Sequence, residues 1–191
     1  PWFWPLVITM VMQAEAAFAI RLVPVFGPVL TEKARVSPEQ IGILTAFNTV
    51  GTMWFLVCGG PILQRLGPVR SLQLGAVVAA VGLALGAVGT WHILMVSALL
   101  AGVGYGPSPP AGSDILARHA PKQHRAIIFS IKQAGVPIGG VAAGLVVPLF
   151  IAWFDWRLAL IGVALLSAIP AILVQPARAA MDAERNRDVK L

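Results

Sequence analysis

Ser71 to Thr90, SLQLGAVVAAVGLALGAVGT, contains no acid and no base, and the solvent that such a stretch requires decides the fold. Roughly 20 apolar residues carry a helix across the ~30 Å hydrocarbon core of a bilayer. Five other long runs share its character: Pro5 to Leu30, Ile41 to Leu63, His92 to Leu116, Ala126 to Phe154 and Leu158 to Val174. A helix on a water-soluble domain keeps one polar face, whereas these runs are apolar all round. Short polar breaks separate them. We therefore expect an all-α membrane protein with six transmembrane helices, at about 5–30, 41–63, 71–90, 92–117, 126–152 and 157–175. They would form one domain over 1–176, with 177–191 as the start of a cytoplasmic linker.

Composition agrees. Of 191 residues, 58% are apolar and 12% charged, against roughly 45–50% and 25% in soluble domains. A net charge of +6 raises nucleic acid or acidic lipid as partners, but the placement of the charge favours topology over nucleic acid. Nine of the fourteen Lys and Arg fall on one side of the expected bundle: Arg65, Arg70, Arg118, Lys122, Arg125, Arg178, Arg185, Arg187 and Lys190. Lys33, Arg35 and Arg157 lie in the alternate loops, and Arg21 and Lys132 lie inside helices. Short loops rich in Lys and Arg stay cytoplasmic, so both ends should face the cytoplasm, across a plasma membrane that we take to be a bacterial inner membrane. The chain starts on Pro1 rather than Met and lacks the basic segment and cleavage site of a signal peptide, so a piece of a longer protein is expected. Cys58 stands alone, which leaves no disulfide framework and no Cys-based metal site.

Local signals set the breaks. Ser37-Pro38-Glu39-Gln40 has the form of a helix start, with Ser as N-cap, Pro at N1 and an acid in the first turn. Trp91 alone marks the third break, which implies a close hairpin of helices three and four. Pro107, Pro109 and Pro110 should bend or break helix four near its cytoplasmic end. Asp155-Trp156-Arg157 forms another tight turn. Three helices, a basic loop and three helices suggest two half-units of the kind common in carriers. Four pairs of glycines are spaced by four, at Gly82 and Gly86, Gly102 and Gly106, Gly135 and Gly139, and Gly140 and Gly144, as close helix packing in lipid would need.

Between helices two and three stands Gly60-Pro61-Ile62-Leu63-Gln64-Arg65-Leu66-Gly67-Pro68-Val69-Arg70. It resembles the loop signature of the major facilitator superfamily, with Gly60, Arg65, Gly67 and Arg70 in place, Gln64 where an Asp is usual and Pro68 where an Arg is usual. The glycine-rich Leu99 to Gly106, the segment Gly135 to Gly140 with Pro137, and the Trp156-Arg157 helix start are also similar to the family. The resemblance implies twelve helices in two domains, of which this chain would be the first six, with a second six-helix half downstream. It also implies that Asp114 could latch against Arg65 or Arg70; from spacing alone, Asp114 and Arg118 form an exposed helical pair.

Polar groups inside the runs name a site. Charge at bilayer depth costs ~2.5–3.5 kcal/mol on insertion scales, so it is rare and faces a cavity or a partner. Glu15, Arg21 and Lys132 are the charges, and Gln13, Asn48 and Gln133 the hydrogen-bonding candidates. Arg21 and Lys132 can also snorkel to the headgroups, and the amides can join helix to helix. Two bases against one acid tilt the expectation toward an organic anion, and Glu15 is the group that would carry H+ if transport is proton-coupled. Catalytic motifs are missing: no His-Glu-x-x-His, no Gly-x-Ser-x-Gly and no phosphate loop. The expectation is a secondary active transporter of a small solute working by alternating access, without cofactor or metal. The competing classes are a transporter-like membrane sensor or assembly protein without flux and a six-helix intramembrane enzyme.

Overall fold

A computed structural model describes residues 2–183, 185, 186 and 189, and all regular structure among them is helical. The helices are α1 (Phe3–Lys33), α2 (Pro38–Cys58), α3 (Gly60–Leu66), α4 (Pro68–Gly86), α5 (Trp91–Tyr105), α6 (Ser108–His119), α7 (Arg125–Gln133), α8 (Gly135–Trp153), α9 (Trp156–Leu173) and α10 (Arg178–Met181). Five spans are long and apolar enough to cross a bilayer: Phe3–Lys33, Pro38–Cys58, Pro68–Gly86, Lys122–Trp153 and Trp156–Met181. Arg187 and Lys190, part of the expected basic tail, lie outside the described residues.

The helix boundaries follow local chemistry. Ser37 caps α2 in a full capping box: its hydroxyl accepts from the Gln40 N–H, and the Gln40 side chain accepts from the Ser37 N–H at 2.8 Å. Glu39, the acid of the first turn, accepts a hydrogen bond from the Ser37 hydroxyl at 2.6 Å. The second apolar run ends earlier than expected, at Cys58, because the chain pauses at Gly59 and restarts as α3 with Pro61 in its first turn. The third break is Ala87 to Thr90, with Gly89 at φ +79, so Trp91 begins the next helix instead of marking the turn. Asp155 caps α9 by accepting from the Arg157 N–H at 3.2 Å.

The fourth apolar run is not one helix. It divides into α5 of 15 residues and α6 of 12, and neither alone matches a bilayer. Pro109 and Pro110 have no N–H to offer the carbonyls four residues back, on Tyr105 and Gly106, and the chain turns there.

The broad packing pairs are α1 with α8, α2 with α5, α4 with α5 and α4 with α9. Backbones touch along two of these seams. A side chain on Gly102 would run into the Asn48 carbonyl of α2, and one on Gly139 would run into the Ala14 carbonyl of α1. The largest apolar cluster sits where α1, α2, α4, α5, α8 and α9 meet, around Phe18, Leu22, Phe26, Leu44, Leu83 and Leu160. Outside, Val57, Trp153 and Ile172 are each more than 70% exposed, among many other outward aliphatic residues. Such a surface is unsuited to water and fits lipid or another protein surface.

Candidate functional site

The break between α5 and α6 brings several of the polar candidates together. Gln13, fully buried on α1, donates its amide to the Tyr105 hydroxyl at the end of α5 over 3.4 Å, and its Oε1 has no partner among the described residues. Ser108, the first residue of α6, is buried with its hydroxyl also unpartnered. Lys132 of α7 is only 2% exposed and reaches across to donate to the Pro109 carbonyl, again at 3.4 Å. A Cβ on Gly112 would press on the Lys132 Cε at 2.7 Å, so the glycine opens the path that the lysine stem follows across α6. No acid lies within ion-pair distance of Lys132 among the described residues. Buried polar groups are nearly always satisfied. Three under-satisfied groups gather at this one helix break.

The Arg21 charge acts on the Tyr105 hydroxyl, and the remaining candidates lie elsewhere. Asn48 is buried on the α2–α5 seam with its Nδ2 unpartnered. Arg21 and Gln133 are exposed on their helices. Glu15, two residues from Gln13, points to another side of α1 and lines a groove with α8 and α9. It is not brought to Lys132, and Arg21 does not pair with it.

The loop signature has a clear local logic. Gly60 opens α3, Arg65 lies exposed in its last turn, and Gly67 turns the chain at φ +90, where L side chains are strained. Asp182 then fills the space beside Gly67. Its carboxylate accepts from the N–H groups of Val69 at 2.8 Å and Arg70 at 3.1 Å, which satisfies the free donors at the start of α4. Arg178 lies 3.7 Å from the same carboxylate. Burial pushes the Asp182 carboxyl above its ordinary value, and the two N–H groups and the arginine charge only partly offset this. Arg70 turns its guanidinium toward Gln73 at 3.5 Å, and Gln73 in turn donates to the Ala171 carbonyl and the Gln175 side chain, tying α4 to the end of α9. Asp114 pairs with Arg118 at 2.8 Å and makes no ion pair with Arg65 or Arg70 among the described residues.

Sequence reasoning missed Tyr105, Ser108, Gln73 and Asp182. Tyr105 is the only tyrosine of the chain and stands at the expected break, a signal that could have found it. A buried Asp in a charged tail carries no comparable mark.

The model of the Major Facilitator Superfamily matches residues 6–189. The chain is 26% identical over 152 residues to the hexuronate transporter of Bacillus subtilis, covering 77% of this chain and 35% of that protein. It is 29% identical over 140 residues to a putative metabolite transport protein of Haemophilus influenzae, covering 72% and 33%. With the lincomycin resistance protein of Streptomyces lincolnensis it shares 28% over 170 residues, 86% of this chain and 34% of that one. The chain thus spans about a third of the length of the curated relatives it matches.

Proposed function

The chain belongs to the major facilitator superfamily of membrane transporters, and from that premise we propose that it is the first six-helix half of a secondary active carrier for a small organic anion. In this reading α5 and α6 together make the fourth crossing of six, with α1, α2 and α4 as one unit and α5–α6, α7–α8 and α9 as the other. The matching roles of the α1–α8 and α2–α5 seams support two related units, since each joins a first helix of one unit to a second helix of the other. Lys and Arg on the 64–70 and 118–125 loops support cytoplasmic ends in a plasma membrane, and relatives more than twice as long support a second half downstream.

The observation that carries the site is the break at Tyr105 to Ser108, met by a buried lysine without an acid. Carriers place substrate at discontinuous helices near mid-membrane, because irregular backbone at that depth is tolerated where it lines a cavity. Lys132 would supply the positive charge, and Gln13, Tyr105 and Ser108 the hydrogen bonds. Lys132 is covered in this conformation, so a substrate reaches it when α6 swings at Gly106-Pro107. Arg21, Gln133 and Asn48 would serve the path to it. A carboxylate substrate suits this charge, and hexuronate, named for the Bacillus relative, is such an anion. Gly60, Arg65, Gly67, Arg70 and Asp114 would form the gate at the basic end, and H+ is the coupling ion assigned to Glu15.

Uptake by the full-length carrier in proteoliposomes, from a panel of carboxylates and neutral sugars, tests this. Lys132→Ala should abolish carboxylate uptake while the protein stays monodisperse in detergent. Unchanged carboxylate uptake in that variant, or sugar uptake alone in the parent, overturns the assignment. A fold that binds these solutes without flux would instead be a sensor.

A further inference from the structure

The anion site leaves one side of α1 free, the side that carries Glu15, to which the proposed function gives a proton and no ligand. Residues two apart on a helix point about 200° away from each other, so Glu15 looks away from Gln13 and the α5–α6 break. It opens into a groove of about 330 Å³ between α1, α8 and α9. Phe18, Ala142 and Val146 help to line its walls. The other polar side chain there, Ser167, already donates to the Ala164 carbonyl at 2.8 Å. Glu15 is 6% exposed, and its Oε1 has no hydrogen-bond partner among the described residues. No cation sits within ion-pair distance of it there either.

The rim tells how a ligand would arrive. Val11, Ile138, Leu166 and Ile169 are exposed aliphatic side chains, so the groove opens sideways from the bundle through a purely apolar mouth. Glu15 is twelve residues from the start of the 31-residue α1, about 18 Å along it at 1.5 Å per residue, near mid-depth. A ligand entering there travels through hydrocarbon. It needs an apolar body to match the walls and one basic nitrogen to match the carboxyl. The volume suits a single small amphiphile, because ligand pockets start at roughly 300 Å³.

We propose that the α1–α8–α9 groove is a binding site for an amphiphilic primary amine, entered from the hydrocarbon, with Glu15 as its counter-charge. One proton serves the pair. A free amine takes the proton of the Glu15 carboxylic acid, or an ammonium meets the carboxylate, and in either case the complex is neutral overall. The nitrogen then satisfies Oε1, and the alkyl chain lies along Phe18, Ala142 and Val146.

The test is protection of Glu15 from a lipid-soluble carbodiimide in vesicles of phosphatidylcholine, which carries no primary amine. Dicyclohexylcarbodiimide takes the carboxyl proton on nitrogen and the carboxylate oxygen on carbon, and the adduct is located by peptide mass. Decylamine, decanol and butylamine are compared at equal membrane mole fractions. The expected result is labelling at Glu15 that decylamine slows by about fivefold or more, with decanol and butylamine changing it by less than about twofold. The Glu15→Gln variant, shown to be monodisperse, should give no adduct there. Equal protection by decanol would make the groove a plain crevice for lipid tails and overturn the proposal. Absence of protection by decylamine, or absence of any label on Glu15, would overturn it as well, the latter by showing that another part of the protein covers the groove.

Discussion

Replacing Lys132 by Met separates a working charge from a structural brace. Lys132 lies seven residues beyond Arg125, the start of α7, so about 10 Å into the membrane at 1.5 Å per residue. Holding an ammonium there without an acid costs ~2–3 kcal/mol, a little under the value for the bilayer centre. The 3.4 Å bond to the Pro109 carbonyl is long and returns about 1 kcal/mol. Methionine keeps the length of the stem that crosses Gly112 and removes the charge. The net expectation is a protein more stable by about 1–2 kcal/mol, or roughly 2–8 °C in melting temperature for a chain of this size. Carboxylate uptake should fall to background in the same sample. Melting is followed in detergent by tryptophan fluorescence, and uptake in proteoliposomes. A variant that melts lower and still transports would show that Lys132 braces the broken helix, and the anion assignment would fall with it.

Other outcomes follow from the seams and the tail. Gly102→Ala forces a methyl group onto the Asn48 carbonyl and should cost about 1–3 kcal/mol in thermal unfolding, whereas Gly140→Ala, which meets nothing within 4 Å, should be neutral or stabilising by up to ~1 kcal/mol. Asp182→Ala removes the acceptor for Val69 and Arg70 and should cost about 1 kcal/mol locally, seen as faster hydrogen exchange of those two amides. Because burial raises the Asp182 carboxyl, the docked tail holds its proton more tightly than the free tail does. Its docking is therefore complete below the ordinary carboxylate value and weakens as pH rises through the raised one. After correction for intrinsic rates, exchange at Val69 and Arg70 should quicken as the pH is raised above the ordinary carboxylate value, and Asp182→Asn should remove that dependence.

The membrane class and most helix positions were legible because apolar length is written directly into a sequence. Ser37, Pro38 and Gln40 mark the start of α2 by chemistry that acts within one turn, and Pro109 and Pro110 mark the break of the fourth run in the same way. The glycine pairs were only half legible. Gly102 and Gly139 sit against a neighbouring backbone, while Gly140 and Gly144 have the same spacing and face open space. Spacing gives the face of a helix and says nothing of what covers it. The polar candidates divide for the same reason. Gln13 and Glu15 are neighbours in sequence, yet one meets Tyr105 and the other a separate groove. The partner of the Gly67 turn, Asp182, is more than 100 residues away, and no local pattern could announce it.

A six-helix carrier crosses the bilayer six times, and α5 with α6 is the crossing that no single long helix guarantees. Cysteines at Thr90 and at His124, each placed singly in a Cys58→Ser background, flank that crossing. Labelling of intact cells and of inverted vesicles with a membrane-impermeant maleimide reads which side each occupies. Position 90 should react only from outside and position 124 only from inside. Reaction of both from the same side would mean that α5 and α6 re-enter without crossing, and the six-helix carrier would be contradicted.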